Sequence, residues 1–327
     1  MGIVFRTKIG KNYKIQHQDL CLLPSKSYLH IYGRLTKEDA AAPVERTRFV
    51  NNAICHLFEE IRYELNGVEI DRAKNVGLTS LMKNYVSQKP SQWPLLENAG
   101  WLKKDTMDSD ETITNANGLS DNHCEWKDEL ILTRSKTDVN AILQRAITVQ
   151  NPEEKYKITL QKIEWLIPYV KVFDERKVKL LNFIGKDTPI GIGFRTWELY
   201  EYPLLPTSSK HVWVVKTSNH YPYGNMNLDI DHNQFSTLYN MYVNFQDSFY
   251  GKEPEPLLTR SEFLKKAPLI VIDCSKQNEY LKSGPVDIRL EFESASHFPA
   301  NTSAYCLILH DRIVEYNPIS GGVRKLM

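Results

Sequence analysis

Residues 55–75 read CHLFEEIRYELNGVEIDRAKN and predict a β-hairpin. Apolar side chains at positions 61, 63 and 65 alternate with the charged side chains of Arg62 and Glu64, which is the period of a half-buried strand. Asn66-Gly67 follows, and this pair is preferred in two-residue type I′ turns because both of its positions need a positive φ. The segment therefore indicates antiparallel β-structure with an exposed turn.

A two-residue turn also predicts which residues face each other across the hairpin. The predicted pairs are Leu65–Val68 and Tyr63–Ile70 on an apolar face, and Glu64–Glu69 and Arg62–Asp71 on a polar face. Opposite charges across two strands stabilise the pairing, whereas Glu64 and Glu69 repel each other. We expect Arg62 to relieve that repulsion diagonally.

Most of the remaining chain also has the pattern of β-strands. The other predicted strands are 129–133, 162–173, 268–274, 286–292, 304–309 and, after a turn at His310-Asp311-Arg312, 313–316. Two helices are predicted, 235–249 with Asn233 as its N-cap and Gly251 beyond its end, and a charged, amphipathic 175–184 closed by Gly185. The expected fold class is therefore all-β with a few short helices.

The length of the chain, 327 residues, exceeds the usual size of a single core, so two domains are expected. The predicted helix 175–184 lies near mid-chain, between two strand-rich halves. Many short strands separated by Pro, Gly and Asn turns are typical of β-sandwiches. The sequence therefore predicts two antiparallel β-sandwiches of jelly-roll type, residues 1–175 and 176–327.

Charge and cysteine usage narrow the class of function. The chain has 41 Lys and Arg against 40 Asp and Glu, a net charge of +1 without a long basic run, so an electrostatic nucleic-acid or membrane surface is not expected. Charged residues interrupt the start of the chain before any apolar run forms, so no secretory signal is predicted. The five scattered cysteines, without a CxxC, predict reduced thiols in a cytosolic or nuclear compartment.

Two short motifs could begin a metal site. His17-x-Asp19 and His123-x-Glu125 have the spacing that opens a site of two histidines and one carboxylate. Both lie in polar segments, and no distal histidine is specified as a third ligand. Solvent-exposed side chains are therefore expected at these positions, and no metal is predicted.

The other candidate catalytic groupings are also better read as structural. Cys306 and His310 would share a strand face but lie roughly 13 Å apart, too far for a proton to pass between them. Gly191-x-Gly193 lacks the third glycine and the opening helix of a phosphate-binding loop. The neighbouring carboxylates Glu59 and Glu60 would point to opposite faces of a strand. The prediction is that the chain has no catalytic, cofactor-binding or metal-ligating residue, needs no cofactor and is not an enzyme.

Aromatic residues are frequent near the predicted strands. They include Trp165, Trp197, Tyr200, Tyr202 and Trp213. Exposed rings on a β-sandwich could stack on sugars, as in a lectin, but such rings more often fill a core or a subunit interface. Core and interface positions are therefore the favoured expectation, with sugar stacking as the alternative.

Several stretches that cover nearly the whole chain in order resemble one family. They are PSKSYLHIYGRLTK (24–37), NNAICHLFEEIRYELNGVEIDRAKNVGLTSLMKNYVS (51–87), DELILTRSKTDVNA (128–141), KIEWLIPYV (162–170), FRTWELYEYPLLP (194–206), APLIVIDCSKQNE (267–279) and GPVDIRLEFESASHFPANTSAYCLILHDRIVEYNP (284–318). The chain resembles the double jelly-roll capsid-like proteins of Polinton/Maverick-type elements and of related virus-derived genes of invertebrates.

The resemblance implies a structural role. In that family two jelly rolls stand side by side in each subunit, three subunits form a pseudo-hexagonal capsomer, and capsomers tile an icosahedral shell around double-stranded DNA. The implied partners are further copies of the chain, in a homotrimer and in lateral capsomer contacts, together with minor capsid or penton proteins. Sequence-specific binding of nucleic acid and membrane contact are not implied. The implied location is the virion and, in the host cell, the cytoplasm or nucleus, without secretion.

Two connections are shorter than in the family, one between Gly118 and Glu129 and one between Thr217 and Tyr221. If each jelly roll lacks one or two strands there, the open sheet edges must be covered in another way. Two interpretations stay open. The chain is a shell-building subunit of a virus or virus-derived element, or it is a domesticated cellular β-sandwich that binds glycans or a protein partner.

Overall fold

The computed structural model describes residues 4–8, 20–23, 26–37, 47–101, 129–144, 152–186, 188–217, 228–230, 232–273 and 286–326. The strands are β1 (Val4–Lys8), β2 (Leu20–Leu22), β3 (Tyr28–Lys37), β4 (Thr47–Phe49), β5 (Phe58–Leu65), β6 (Val68–Lys74), β7 (Glu129–Arg134), β8 (Ile142–Gln144), β9 (Tyr156–Leu166), β10 (Tyr169–Lys171), β11 (Ile190–Tyr202), β12 (Lys210–Thr217), β13 (Val286–Glu293), β14 (Ala304–Tyr316) and β15 (Val323–Leu326). The α-helices are α1 (Ala53–His56), α2 (Val76–Ser87), α3 (Trp93–Asn98), α4 (Asp174–Ile184), α5 (Ser236–Tyr250) and α6 (Arg260–Lys266).

The strands associate in small sheets. The largest described sheet has the order β1-β7-β5-β6, and a three-stranded sheet has the order β11-β14-β15. The remaining strands pair as β10-β2, β12-β13, β3-β9 and β4-β8. The described registers are antiparallel, as expected for the all-β class; they join β1 to β7, β5 to β7, β5 to β6, β10 to β2, β12 to β13, β14 to β15, β3 to β9 and β4 to β8.

The chain forms two compact units. The first consists of Met1–Gly77, Asn98–Glu198 and Leu309–Met327, and the second consists of Leu78–Glu97 and Leu199–Ile308. Each unit therefore draws residues from both halves of the sequence. The division into jelly rolls at residues 1–175 and 176–327 stays a prediction.

The predicted hairpin is present as β5 and β6. Asn66 and Gly67 have φ values of 50° and 79°, so both turn positions are left-handed and the type I′ turn is confirmed. The Leu65–Val68 and Glu64–Glu69 pairs are also confirmed. The register then shifts, so the predicted Tyr63–Ile70 and Arg62–Asp71 pairs are wrong.

A β-bulge at Ile70 causes this shift. Tyr63 pairs with Asp71 and Arg62 with Arg72, which leaves Ile70 as the extra residue on β6. Ile70 is buried, as predicted, although it has no direct partner on β5. Asp71 in turn accepts a hydrogen bond from the Thr196 hydroxyl at 2.5 Å, a contact that the local alternation of residues does not encode.

Two strand predictions near the end of the chain are wrong. The predicted turn at His310-Asp311-Arg312 lies inside the continuous strand β14, because cross-strand ion pairs to β11 accommodate these polar side chains. The predicted strand 268–274 is not regular structure in its described part, 268–273. Ile270 and Ile272 are exposed there, which shows that an apolar run without a paired neighbour does not form a buried strand.

The two predicted helices are present, as α4 and α5. Gly185 follows α4, and Gly251 ends α5 in a left-handed conformation. The predicted N-cap of α5 is wrong, since Phe235 occupies that position and Asn233 lies in the preceding turn with a φ of 59°. Helix α2 was not predicted.

The core of the first unit is built around the hairpin. Its buried residues are Ala53, Leu57, Phe58, Val76, Leu132, Ala141 and Ile158, with Leu29, Ile31, Leu35, Val50, Cys55, Ile61, Leu130, Ile142, Leu160 and Ile163 packed against them. The inward side chains alternate along β3, and those of β9 alternate up to a bulge at Gln161, after which Ile163 faces inward, so this pair covers one side of the cluster. Trp197 of β11 is also buried, as expected for a core aromatic residue.

The core of the second unit is organised by α5. Tyr242 is buried, stacks on Phe263 of α6 at 4.8 Å, donates a hydrogen bond to the Tyr85 carbonyl and accepts one from the Leu258 amide. Burial raises the pKa of the Tyr242 phenol to about 12. The ring and its hydroxyl therefore fix α5 against two neighbouring segments of this unit.

Candidate functional site

The tip of the hairpin is fastened to the end of the chain. The Asn66 side chain donates a hydrogen bond from Nδ2 to the Gly321 carbonyl at 2.9 Å. Gly321 has a φ of 68°, and its amide donates to the Asn317 carbonyl at 2.9 Å within a tight turn. The predicted turn residues are exposed, as expected, but their role in the structure is to dock a second turn.

The polar face of the hairpin is a small ion-pair network. Arg62 Nε lies 3.3 Å from Glu64 Oε1, and Arg62 Nη1 lies 3.7 Å from Glu69 Oε2. Arg72 Nε lies 3.8 Å from Glu69 Oε1, and Arg72 Nη1 lies 4.0 Å from Glu60 Oε2. The expected diagonal relief of the Glu64–Glu69 repulsion is confirmed. Glu60, Glu64 and Glu69 therefore each have an arginine as an ionic partner.

An aromatic groove opens beside the hairpin. It has a volume of about 430 Å³ and is lined by Ser27, Tyr28, Leu29, Tyr63, Leu130 and Trp165. Tyr63 meets Trp165 edge-on with ring centroids 6.3 Å apart, and Tyr28 is exposed at the rim. Rings, leucines and one serine offer apolar contact and stacking, and they supply no carboxylate or imidazole for proton transfer.

A histidine–carboxylate contact lies on β11 and β14. His310 Nε2 lies 3.5 Å from Glu198 Oε1, and Arg312 forms an ion pair with the same oxygen. Arg195 Nε and Asp311 Oδ1 form a further pair at 3.4 Å. Cys306 lies on the same strand, four residues before His310. The grouping is a cross-strand ion-pair ladder that fastens two strands together.

A second charged grouping is buried in the core of the first unit. Arg134 pairs with Asp138, and its Nη1 donates to the Leu57 carbonyl at 2.8 Å. Asp138 Oδ2 accepts a hydrogen bond from the Ile158 amide at 2.8 Å. Both buried charges therefore have fixed partners, and removing either partner would leave an uncompensated buried charge.

Only some of the candidate motif residues lie in the described part of the chain. His17, Asp19, His123, Cys124 and Glu125 lie outside the described residues. Gly191 and Gly193 are exposed positions of β11, and Glu59 is exposed on β5. Within the described part of the chain, no group of three or more His, Cys, Asp or Glu side chains could hold a metal ion. The absence of catalytic, cofactor and metal residues stays a prediction.

Two features of the structure were not found by sequence reasoning. The first is the meeting of Tyr63 with Trp165, two aromatic residues that lie 102 positions apart in the numbering. The second is the exposure of helix α4, whose sequence correctly predicts an amphipathic helix but which buries no side chain completely. Apolar side chains on an exposed helix have the same sequence pattern as apolar side chains that face a core.

No helix in the described parts of the chain has both the length and the apolar character needed to cross a membrane.

A family model described as a double jelly roll-like domain matches the chain at residues 47–220 and 217–314. None of the curated proteins compared with the chain matches it.

Three solved viral structures have a similar backbone trace. A chain of the Sputnik virophage, solved by cryo-electron microscopy, covers 99% of this chain and 88% of its own length at 9% identity, with a TM-score of 0.48. PBCV-1 VP54, fitted into a cryo-electron microscopy reconstruction of Sputnik, covers 100% of this chain and 97% of its own length at 9% identity, with a TM-score of 0.43. The mavirus major capsid protein covers 92% of this chain and 82% of its own length at 10% identity, with a TM-score of 0.40. Since these TM-scores are low, the family assignment rests on the family model.

Proposed function

The chain belongs to the double jelly roll-like domain family, and we propose on that basis that it is a structural, major-capsid-like protein. Three copies would form a pseudo-hexagonal capsomer, and capsomers would tile the icosahedral shell of a double-stranded DNA virus or virus-derived element. The observation that carries the proposal is the extent of the family match, which runs in two successive segments from residue 47 to residue 314.

The order of the resembling stretches supports the same role. Seven segments between residues 24 and 318 resemble capsid-like proteins of Polinton/Maverick-type elements, in the same order along the chain. The described strands pair in antiparallel sheets, as two jelly rolls require. The near-neutral charge of +1 suits a protein that packs laterally against copies of itself, because like-charged copies would repel.

The proposal includes the setting of the protein. Its partners would be further copies of the chain and minor capsid or penton proteins, without sequence-specific contact to nucleic acid and without membrane contact. It would reside in the virion and, before assembly, in the cytoplasm or nucleus of the host cell. It would act without catalysis and without a cofactor.

The mass of the purified protein in solution tests the capsomer. A homotrimer has a mass of about 114 kDa, three times the 37.9 kDa of one chain. Light scattering coupled to size exclusion should give this mass, and negative-stain images should show pseudo-hexagonal particles. A strictly monomeric species at the highest attainable concentration would refute the capsomer.

The aromatic groove favours a second candidate function, a domesticated cellular β-sandwich that binds glycans or a protein partner. Tyr28, Tyr63 and Trp165 together offer ring faces and edges of the kind that stack on sugars. A glycan array probed with the protein and with Trp165→Ala tests this reading. Binding that is lost in the variant would support it, and an array without signal would count against the glycan form of the proposal.

A further inference from the structure

Asn66-Gly67, at the tip of the hairpin, is a chemically unstable dipeptide as well as a turn. In deamidation, the backbone nitrogen of the following residue attacks the carboxamide carbon of an asparagine side chain. Glycine permits this attack most readily, because it has no side chain in the way and a flexible backbone. Both residues are exposed, and a Cβ placed on Gly67 would meet no described atom beyond its chain neighbours within 4 Å. The reaction is therefore sterically open on the side of Gly67, and water reaches the site.

The attacking nitrogen lies outside the cross-strand ladder. The β5–β6 pairing closes at Leu65–Val68, and Asn66 and Gly67 lie beyond it with φ values of 50° and 79°. Attack requires a backbone amide that has lost its proton to base, and amides held in a regular ladder exchange their protons slowly. The position of Gly67 in the exposed turn therefore leaves its nitrogen accessible to base.

One contact restrains the carboxamide that would be attacked. Asn66 Nδ2 donates to the Gly321 carbonyl at 2.9 Å, and a Cβ placed on Gly321 would come within 3.0 Å of the same nitrogen. The Gly321 amide donates to the Asn317 carbonyl at 2.9 Å, which holds Gly321 within the C-terminal turn, residues 317–322. A bond forms fastest between groups that are already held in the attack geometry, and the carboxamide is held by a different partner. The hydrogen bond to Gly321 must therefore open before the carboxamide carbon can meet the Gly67 nitrogen.

We propose that Asn66 is a site of spontaneous deamidation and that the docked C-terminal turn sets its rate. The Gly67 nitrogen forms a bond to Cγ of Asn66, the Cγ–Nδ2 bond breaks, and the Gly67 amide proton leaves with the Nδ2 group as ammonia. Water then opens the cyclic imide at one of its two carbonyl carbons and leaves aspartate or isoaspartate at position 66. Water is the only co-reactant, and the reaction does not depend on capsomer assembly.

Either product unfastens the hairpin from the C-terminal turn. A carboxylate accepts hydrogen bonds but donates none, so it cannot bond to the Gly321 carbonyl. It also adds a negative charge two residues from Glu64, where Arg62 already offsets the repulsion between Glu64 and Glu69. Isoaspartate lengthens the main chain by one methylene group, which a two-residue type I′ turn does not accommodate. Strand β15, which begins directly after the turn, is therefore held less firmly once position 66 has reacted.

Peptide mapping by mass spectrometry measures the reaction, because deamidation replaces one NH group with one oxygen atom. The folded wild type and two variants are incubated in warm, mildly alkaline buffer. Gly321→Ala pushes a methyl group against Asn66 Nδ2 and strains a residue with a φ of 68°, so it loosens the hydrogen bond to Asn66. Gly322→Ala is the matched control in the same turn, because its methyl group would meet Ser320 and Asn317 instead.

The wild type in guanidinium chloride gives the rate of the unfolded chain, with Asn117-Gly118, the other Asn-Gly pair of the sequence, as an internal reference. We expect Asn66 to react in the folded wild type, but more slowly than in the unfolded chain. Gly321→Ala should react about two- to tenfold faster than the wild type, the range that one hydrogen bond provides, and Gly322→Ala should match the wild type. The proposal is overturned if Asn66 stays intact in every folded protein while the unfolded chain reacts, or if the two glycine variants react alike.

Hydrogen exchange tests the consequence without relying on a strained variant. Asn66→Asp introduces one product directly, and Asn66→Gly removes the donor without adding charge while keeping a turn that accepts a positive φ. In both variants the backbone amides of Val323–Leu326 should exchange about two- to tenfold faster than in the wild type, with unchanged circular dichroism spectra. Exchange at the wild-type rate in both variants would show that Asn66 does not hold the C-terminal turn, and the proposed control of its reaction would be refuted.

Discussion

Gly77→Ala is predicted to destabilise the protein, although the same substitution in an exposed helix usually stabilises it. Gly77 is the second residue of α2 and is buried, and its carbonyl accepts a hydrogen bond from Asn52 Nδ2 at 3.1 Å. A Cβ placed on Gly77 would overlap the ring of His56, with Nδ1 as the nearest atom. The ring must move, because the backbone at His56 is held by a hydrogen bond from Ser135 Oγ to its carbonyl.

The expected magnitude follows from two opposing effects. Alanine in a helix interior is more stable than glycine by about 0.5–1 kcal/mol. Overpacking a well-filled site costs about 1–3 kcal/mol, which includes any strained rotamer of the imidazole. The net change should be a loss of about 1–2 kcal/mol in the free energy of unfolding, because the clash outweighs the gain in helix propensity.

A double-mutant cycle separates the two effects. In a His56→Ala background the ring is absent, so Gly77→Ala should stabilise the chain by about 0.5–1 kcal/mol, as in an ordinary helix. The coupling between the two positions should therefore be about 1.5–3 kcal/mol, measured by urea denaturation of the four proteins. If Gly77→Ala stabilises the wild type, or costs the same in both backgrounds, the contact between Gly77 and His56 is not as described.

Three further predictions use the same denaturation assay. Gly67→Val forces a β-branched residue into a φ of 79° and should lower the free energy of unfolding by about 1–3 kcal/mol. Gly191→Val is the control, because this exposed strand position has open space for a side chain and the change should be neutral or stabilising. Equal losses in the two variants would contradict the turn assignment. Tyr63→Ala should lower the free energy of unfolding by about 2–3 kcal/mol, because the ring is half-buried against the indole of Trp165. Arg62→Ala should lower it by less than about 1 kcal/mol, because Arg62 makes only partly exposed ion pairs. The reverse order would refute the assignment of the two hairpin faces. Burial lowers the pKa of His56 below its usual value of 6.5, so the unfolded chain binds more protons than the folded chain in this pH range. The free energy of unfolding should therefore fall as the pH drops below about 6.5. An unchanged pH dependence of stability in His56→Gln would refute this prediction.

Local chemistry accounts for the parts of the hairpin that the sequence predicted correctly. Asn66-Gly67 adopts a type I′ turn because this dipeptide tolerates two left-handed residues in succession, whatever surrounds it. The bulge at Ile70 depends instead on distant contacts. It places Asp71 opposite Tyr63, where the carboxylate accepts a hydrogen bond from Thr196, a residue 125 positions away. No period in the local sequence carries that information.

The errors near the end of the chain have a related cause. Polar residues at His310, Asp311 and Arg312 look like a turn when only the neighbouring sequence is considered. They remain in β14 because Glu198 and Arg195 on the strand β11 supply opposite charges across the sheet. The predicted strand 268–274 fails for the opposite reason, since an apolar run becomes a strand only when another strand pairs with it.

Sequence reasoning also cannot tell which apolar side chains are exposed. A leucine contributes equally to an amphipathic pattern whether it faces its own core, a groove or solvent, so the sequence predicts a helix around Leu181 but not the exposure of that side chain. Exposure separates apolar residues that are buried when the chain folds from apolar residues that stay in contact with solvent. Phe173 belongs to the second group more clearly than Tyr63, whose ring contacts Trp165 within its own unit. Because the ring of Phe173 is 84% exposed, the hydrophobic effect within its own unit gains little from a phenylalanine at this position.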